Sequence, residues 1–279
     1  MSDGVLIFAI NNDTIDYVKQ SIFCAKRVKK YLGLPVTIVT NSVSNFEEYP
    51  FYTKYVDDLI NVEITDTSNY KNFSKGTLTV RDKWHNFNRV DAYRLSPYTN
   101  TLLIDSDYIL NNKNFLQLFN SNKDFLIAKK YRDLSIDVNI VETKISKPSI
   151  PMYWATVVYF QKGLIAESIF NFAEYVRDHW SYHRTLYNIS SLKFRNDYAF
   201  SIAVHMMNGF TEVQKQFTLP FALYNSFDTD VPLSITPYDT KVLSTNRENH
   251  NIHYFKNQSV HLMNKFELNK LIDEDFLNE

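Results

Sequence analysis

The chain has 279 residues, of which 44% are hydrophobic and 22% charged, with only 5 Gly and 8 Pro. These fractions are typical of a packed globular protein and exclude collagen-like, disordered and low-complexity chains. Thirty basic and 31 acidic residues give a formal net charge of -1, which argues against nucleic-acid binding driven by overall charge. The single cysteine, Cys24, allows no internal disulfide and indicates a reducing compartment. Without a signal-peptide pattern or an apolar run of about 18 residues, we expect a cytoplasmic protein with no membrane span.

The chain opens with a β-α-β pattern. Residues 5–10 form a continuous apolar run, which is typical of a strand buried on both faces. Residues 11–14 are of helix-capping type, and apolar residues then recur at helical spacing until Gly33. Residues 36–40 predict a second buried strand. A right-handed crossover makes the two strands parallel, so their carboxyl ends lie at one edge, where open α/β sheets bind ligands.

The remaining elements alternate before becoming more mixed. Further strands are predicted at 59–64, 101–105, 125–129, 154–160 and near 252–255. Helices are predicted at 84–95, 113–119, 164–178, 196–208 and from about 266. Segments 65–77, 132–150 and 179–193 are predicted to be irregular, the second of them a mobile loop. The order favours one α/β domain, residues 1–279, with a mixed, mainly parallel central sheet flanked by helices.

Two carboxylates follow the apolar strand at 101–105. Asp105 and Asp107 are separated by Ser106, so both side chains point the same way while the chain remains extended. Two carboxylates this close repel each other unless a positive group lies between them. A hard divalent cation such as Mg²⁺ or Mn²⁺ suits that position, because it takes oxygen ligands and accepts a diphosphate as a further ligand. A turn with two solvated carboxylates is the structural alternative.

The surrounding segment, WHNFNRVDAYRLSPYTNTLLIDSDYIL, resembles the donor-binding segment of GT-A-fold glycosyltransferases, especially the glycogenin-like retaining group (family 8). In this resemblance Arg89 falls at the family's basic position and Tyr98 at its aromatic position. Asp105 and Asp107 fall at its metal motif, and Ser106 between them joins the donor site. The resemblance implies a single GT-A domain whose residues 1–110 bind a nucleotide sugar. Residues 111–279 would bind the acceptor and supply a further metal ligand.

The resemblance extends to the first strand. The opening GVLIFAINND is similar to the family's first strand, whose end holds the nucleotide base. This likeness implies that Ala9, Asn11 and Asn12 line a uracil-type pocket, with Tyr17 stacking on the base.

Two later segments carry further implied site residues. VHLMNK resembles the family's His-containing metal segment, which implies His261 as the third metal ligand and Lys265 as a donor to the diphosphate. FRNDYAFSIAV is similar to an Asp-containing helix start, where Asp197 would face a sugar. The chain departs from the family pattern at Asn264, where the family has Gly.

The resemblance implies a metal-dependent transferase that moves a sugar from a nucleoside-diphosphate sugar, with UDP favoured, to an acceptor hydroxyl with retention. Mn²⁺ or Mg²⁺ would stabilise charge on the leaving diphosphate, and Arg89 and Lys265 would add to that effect. Asp197 would orient the sugar or stabilise its oxocarbenium-like centre. An inverting enzyme would instead need a general base, for which Asp91, Asp133 and Asp137 are candidates.

The acceptor and the reaction class remain open at this stage. A glycan acceptor predicts an aromatic, near-neutral cleft. A hydroxymethylated DNA base, as used by bacteriophage base-modifying transferases in the host cytoplasm, predicts a basic stripe at Lys26–Lys30 or Arg177–Arg195. A nucleotidyltransferase would carry a Gly-rich basic loop after the first strand, where this chain has Asn11-Asn12-Asp13. A catalytically inactive nucleotide-sugar-binding protein is the third class.

Overall fold

The structure is a computed structural model that describes residues 2–64, 68–76, 78–134, 140–211, 215–245 and 250–277. Within these ranges the strands are β1 (Asp3–Ala9), β2 (Val36–Thr40), β3 (Asp58–Asn61), β4 (Tyr70–Lys75), β5 (Leu78–Lys83), β6 (Asn100–Asp105), β7 (Tyr108–Ile109), β8 (Phe125–Ala128), β9 (Tyr131–Asp133), β10 (Ile140–Val141), β11 (Trp154–Gln161), β12 (Leu223–Asn225), β13 (Val231–Ile235), β14 (Asp239–Thr245), β15 (His250–Lys256) and β16 (Val260–His261). The α-helices are α1 (Tyr17–Tyr31), α2 (Ala92–Leu95), α3 (Leu116–Phe119), α4 (Leu164–Asp178), α5 (Trp180–Leu186), α6 (Asn196–Met207) and α7 (Lys265–Phe276).

A six-stranded sheet forms the centre, in the order β3-β2-β1-β6-β11-β8. The first four strands are parallel, and β11 is antiparallel to both β6 and β8. The predicted fold class, an α/β protein with a mixed, mainly parallel sheet flanked by helices, is therefore confirmed. Strands of the central sheet come from both 1–110 and 111–279, and the division of roles between these halves stays a prediction.

Helices cover both faces of this sheet because its strands are apolar on both sides. Along β1, Leu6 packs into a core with α4 and α6, while Val5 and Ile7 pack on the other face against α1. Successive strand residues point to opposite faces, so one apolar run supplies both cores. The α1 helix begins where the Asp16 side chain accepts from the backbone N–H of Lys19 at 2.9 Å, as the capping residues predict.

A second sheet of five short strands, β10-β9-β12-β16-β7, adjoins the carboxyl end of β6. Its edge strand β7 begins directly after Asp107 and pairs antiparallel with β16, which places His261 opposite Tyr108. The backbone N–H of Leu262 also donates to the Asp107 carbonyl at 3.1 Å. A segment near the carboxyl end of the chain is therefore fixed beside the acidic pair. A three-stranded sheet, β13-β14-β15, completes this half.

Three predicted segments differ from the structure. The segment 179–193, predicted irregular, contains α5, and the polar segment 65–77 contributes to a β4–β5 hairpin. The helix predicted at 84–95 is reduced to a 3₁₀ turn at Phe87–Asp91 followed by α2. Its first residues do not become helical, because the Asn86 side chain donates to the Phe194 carbonyl at 3.1 Å and its carbonyl accepts from the Asn196 amide at 2.9 Å. The predicted loop 132–150 includes β10 and part of β9, and Asp137 lies outside the described residues.

Among the helices described, none has the length and apolar character needed to cross a bilayer.

Candidate active site

The acidic pair lies where β6 leaves the central sheet. One ligand atom from each of Asp105, Asp107 and His261 lies within 4.8 Å of the other two. The His261 Nε2 atom is 3.0 Å from an Asp107 carboxylate oxygen and 3.7 Å from one of Asp105. The structure thus brings together the three residues that the sequence proposes as metal ligands, although 154 positions separate Asp107 from His261.

The three side chains suit a divalent cation. Burial lowers the pKa of His261, against the opposing effect of Asp105, so its imidazole is neutral near pH 7 and keeps a lone pair. Two carboxylates and a neutral imidazole form a donor set that accepts Mn²⁺ or Mg²⁺. These residues would hold the cation, and the chemistry it supplies is stabilisation of negative charge on a bound phosphate.

Two buried cations already balance the two carboxylates. The Arg89 Nη1 atom lies 2.8 Å from an Asp105 oxygen, and the same guanidinium donates to the Ala155 carbonyl at 2.6 and 3.0 Å. The Lys265 ammonium forms an ion pair with Asp107. Burial, together with nearby Lys71, lowers the pKa of Lys265 well below its ordinary value while Asp105 opposes the shift, so the ammonium form depends on its contact with the Asp107 carboxylate. A divalent cation that binds Asp107 therefore competes with the Lys265 ammonium for the same carboxylate.

A cavity of about 440 Å³ opens beside this cluster. Its described lining includes five large aromatic residues, namely Phe8, Tyr17, Trp84, Trp154 and Tyr198. Five basic residues line it, Lys71, Arg89, Lys193, Arg195 and Lys265, and four acidic ones, Asp105, Asp107, Asp197 and Asp228. The cavity is therefore aromatic and close to neutral, and each of its four acidic residues lies beside a basic one.

Asp197 faces this cavity from the first turn of α6. One of its carboxylate oxygens accepts from the Ala155 N–H at 2.9 Å. The other accepts from Nε and Nη2 of Arg195 at 3.0 and 2.6 Å. Because both oxygens are held, the carboxylate has a fixed direction, as a group that orients a substrate requires.

Tyr17 and Ser106 also line the cavity. Burial, with Asp228 and Asp105 nearby, raises the pKa of Tyr17, so its phenol stays neutral. Ser106 is buried between the two carboxylates.

Three residues predicted to hold the nucleotide base do not reach the cavity. Ala9 is fully buried in the core, because strand alternation turns Phe8 and Ile10 towards the cavity instead. The Asn11 side chain accepts from two backbone N–H groups at the start of α1, at 2.7 and 3.1 Å. The Asn12 side chain donates to the Lys83 carbonyl at 2.7 Å. Both asparagines therefore hold the loop after β1 in place.

The structure adds cavity residues that the sequence did not single out. Lys71, from the β4–β5 hairpin, lies 3.2 Å from Asp228 and over the ring of Trp84, with 6.0 Å between its Nζ atom and the ring centroid. Trp84 belongs to the segment that resembles the glycosyltransferases, but no pattern around it indicates that it lines a cavity. The sequence did not indicate Lys71, because the segment that forms its hairpin was predicted to be a loop.

Two of the three candidate bases for an inverting reaction, Asp91 and Asp133, lie among the described residues. Asp91 pairs with Arg177 at 3.3 Å and with Arg94 at 3.1 Å, and burial raises its pKa although Arg177 opposes the shift. Asp133 is buried on β9. Within the described lining of the 440 Å³ cavity, neither residue is present.

Comparison with solved structures finds partial likeness to glycosyltransferases. GlyE of Streptococcus pneumoniae TIGR4 aligns with 79% of this chain and 46% of its own, at 12% identity and a TM-score of 0.41. The galactosyltransferase LgtC aligns with 72% of this chain and 69% of its own, at 13% identity and a TM-score of 0.47. Mouse xyloside xylosyltransferase 1 aligns with 77% of this chain and 86% of its own, at 11% identity and a TM-score of 0.41.

The chain thus spans less than half the length of GlyE. No protein-family model matches the sequence, and no curated protein matches it. Likeness at this level assigns neither a family nor a substrate, so the function is argued from the site.

Proposed function

We propose that this protein is a metal-dependent glycosyltransferase that moves a sugar from a nucleoside-diphosphate sugar to an acceptor hydroxyl. The observation that supports this most directly is the convergence of Asp105, Asp107 and His261 beside an aromatic cavity at the carboxyl ends of parallel strands. The sequence resemblance to GT-A-fold glycosyltransferases favours UDP as the nucleotide and retention as the stereochemical course.

Each charged residue has a role in this proposal. Asp105, Asp107 and His261 would hold Mn²⁺ or Mg²⁺, which would supply charge stabilisation for a leaving diphosphate. Arg89 keeps Asp105 in position through its 2.8 Å contact. Lys265, once a cation occupies Asp107, is a nearby donor for phosphate oxygens.

The sugar and base of the donor would lie in this cavity, which the acceptor also has to reach. Asp197 lies beside the sugar, where its fixed carboxylate orients the ring and stabilises positive charge at the anomeric carbon. Tyr17, half-buried at the start of α1, offers a neutral aromatic face for the base.

A glycan acceptor is favoured over a DNA base. The aromatic, near-neutral lining is what a carbohydrate substrate requires. In the Lys26–Lys30 stripe, Lys26 pairs with Asp275 at 2.7 Å and Lys29 with Asp57 at 2.6 Å. Basic side chains neutralised in this way contribute little to binding a phosphate backbone.

In the second stripe, Arg177 and Arg195 at the two ends are paired with acidic residues. Arg177 contacts Asp91, Glu174 and Asp178 at 3.3, 3.0 and 2.9 Å. At the far end of the stripe, Arg195 is committed to Asp197. These pairs support a glycan acceptor for the same electrostatic reason.

The nucleotidyltransferase alternative has weaker support. That class would place a glycine-rich basic loop after β1 to hold a triphosphate. Here Asn11 and Asn12 use their side chains on backbone groups of the same region, and the loop contains neither Gly nor Lys.

The test measures turnover of UDP-sugars with Mn²⁺, with Mg²⁺ and with EDTA. We expect EDTA and the substitution Asp107→Asn each to lower turnover by about 100-fold or more, since both remove charge stabilisation of the leaving group. Asp273→Asn is the matched control, because Asp273 pairs with Lys19 at 2.6 Å on the exposed side of α7. Unchanged turnover in EDTA and in Asp107→Asn would refute the proposal.

Three further outcomes separate the alternatives. Metal-dependent binding of UDP-sugars without turnover on a panel of acceptors identifies an inactive binding protein. Pyrophosphate release from a nucleoside triphosphate identifies a nucleotidyltransferase. The anomeric configuration of the product, measured by NMR, tests retention directly.

A further inference from the structure

The side chain of Asn225 lies beside the candidate metal ligand His261. Asn225 on β12 is the register partner of His261 on β16, and the two strands are parallel. Register partners lie side by side on one face of a sheet, with their strands about 4.8 Å apart. Both residues line the 440 Å³ cavity, and only 7% of Asn225 and 8% of His261 is exposed. The two side chains are therefore buried neighbours on the face that carries the candidate metal site.

The backbone and the ring of His261 are held from both neighbouring strands. The N–H of Ser226 donates to the His261 carbonyl at 3.0 Å, and the N–H of Met263 donates to the Ser226 hydroxyl oxygen at 3.0 Å. On the other side, the ring of Tyr108 stacks on the His261 ring, with 6.4 Å between the centroids. Because the imidazole is fixed in this way, a polar group on β12 has a defined position relative to it.

Each of the two side chains has a buried polar atom without a partner. Within the part of the chain that the structure describes, neither Nδ1 of His261 nor Oδ1 of Asn225 forms a hydrogen bond. An amide oxygen only accepts, whereas Nδ1 of a neutral imidazole donates when it carries the ring proton. Since buried polar groups in native proteins are nearly always paired, this acceptor suits the form of His261 that carries its proton on Nδ1.

Metal binding requires that same form of His261. Its Nε2 atom faces the two carboxylates, at 3.0 Å from Asp107 and 3.7 Å from Asp105, so Nε2 is the atom that would bind a cation. Nε2 then needs its lone pair, and the ring proton has to lie on Nδ1. Without a cation, the Asp107 carboxylate instead favours a proton on Nε2. An acceptor beside Nδ1 therefore favours the metal-binding tautomer.

We propose that Asn225 is a positioning residue whose Oδ1 atom accepts a hydrogen bond from Nδ1 of His261 and thereby holds the imidazole in its metal-binding tautomer. This inference rests on the metal site of the proposed function but not on sugar transfer, because it concerns only the protein and the cation. Metal-binding histidines in proteins generally donate from the nitrogen that does not face the metal, and loss of the acceptor lowers metal affinity by about 10- to 100-fold.

The first test is NMR of the full chain without metal at about pH 8, where imidazoles are neutral. Long-range ¹H–¹⁵N correlations of the His261 ring, assigned by comparison with His261→Gln, give the ratio of the two tautomers. We expect the ratio of Nε2–H to Nδ1–H to rise about fivefold in Asn225→Leu, which removes the acceptor at similar side-chain size. Asn225→Asp keeps an acceptor but loses the amide donor, so its ratio should not rise. Equal ratios in the wild type and Asn225→Leu, or a rise in Asn225→Asp, would overturn the proposal.

The second test is calorimetric titration of the same proteins with Mn²⁺. We expect about tenfold weaker binding in Asn225→Leu and at least wild-type affinity in Asn225→Asp. Asn100→Leu is the matched control and should keep wild-type affinity. Asn100 is 8% exposed, its Oδ1 atom also has no partner among the described residues, and it lies at the opposite end of β6 from Asp105.

The titration also separates this inference from the proposed function. If Asp107→Asn abolishes Mn²⁺ binding while Asn225→Leu binds as tightly as the wild type, the metal site stands and the role of Asn225 is overturned. If the wild type does not bind Mn²⁺, both are overturned.

Discussion

Replacing Lys265 by methionine separates two roles of the Asp107 carboxylate, namely its ion pair with Lys265 and its proposed binding of a divalent cation. Both side chains of this pair are nearly inaccessible, with 10% of Lys265 and 3% of Asp107 exposed. Removing one partner of a buried ion pair costs about 3 kcal/mol or more, because the remaining charge is left without its counter-charge. A chain of 279 residues has an unfolding entropy of about 0.6 kcal/mol/K, so the melting temperature should fall by about 5 °C.

Mn²⁺ should restore most of this loss. In Lys265→Met the cation binds Asp107 without first displacing an ammonium group, and at one hundred times its dissociation constant it stabilises the folded state by about 2.7 kcal/mol. We therefore expect a Mn²⁺-induced rise of about 5 °C in the variant and a smaller rise in the wild type, where Lys265 competes.

The assay is differential scanning calorimetry with Mn²⁺ and with EDTA. Lys270→Met is the matched control, because Lys270 lies on the same helix but its 2.7 Å pair with Glu267 is largely exposed and of little energetic value. The prediction is wrong if Mn²⁺ raises the melting temperatures of the wild type and Lys265→Met equally, or if it raises neither.

Two further predictions concern packing in the scaffold and the support of the Asp197 carboxylate. Gly4→Ala places a methyl group inside the ring of Tyr98 and should lower the free energy of unfolding, measured by chemical denaturation, by about 1–3 kcal/mol. Gly163→Ala, with no atom within 4 Å of the added carbon, should lower it much less. Equal costs would contradict the packing argument. Arg195→Lys keeps the positive charge but loses the paired donors to Asp197, so we expect kcat to fall about tenfold with little change in the donor KM. An unchanged kcat would show that Asp197 does not need this support.

The central sheet was predictable because its strands are short apolar runs that declare themselves locally. The strand predicted at 36–40 matches β2, and the helix predicted at 164–178 matches α4. Where an element depends on distant partners, local patterns failed. The β4 strand is mostly polar and exposed on one side, so only its pairing with β5 defines it.

The residues of the candidate site also fall into two groups, those indicated by local sequence and those whose position depends on distant parts of the chain. Asp105 and Asp107 were accessible from sequence because they directly follow an apolar run, but only Asp105 lies in β6, and Ser106 and Asp107 form a turn where the sequence predicted an extended chain. His261 was reached only through the resemblance, since nothing local indicates that β16 pairs with β7. The ion pair between Lys265 and Asp107 was not predicted, because the sequence analysis assigned Lys265 to the diphosphate. The resemblance implied Ala9 for the base pocket, whereas alternation along β1 directs Phe8 and Ile10 towards the 440 Å³ cavity.

The pairing of β7 with β16 has a consequence for biosynthesis. Until residue 261 has been synthesised, the nascent chain contains both acidic side chains but not the imidazole that lies beside them in the folded protein. The three-residue cluster therefore forms only after a segment 154 positions beyond Asp107 has been made. A polypeptide cut short before Val260 would keep the β1-β2-β6 core sequence and still lack the third candidate metal ligand.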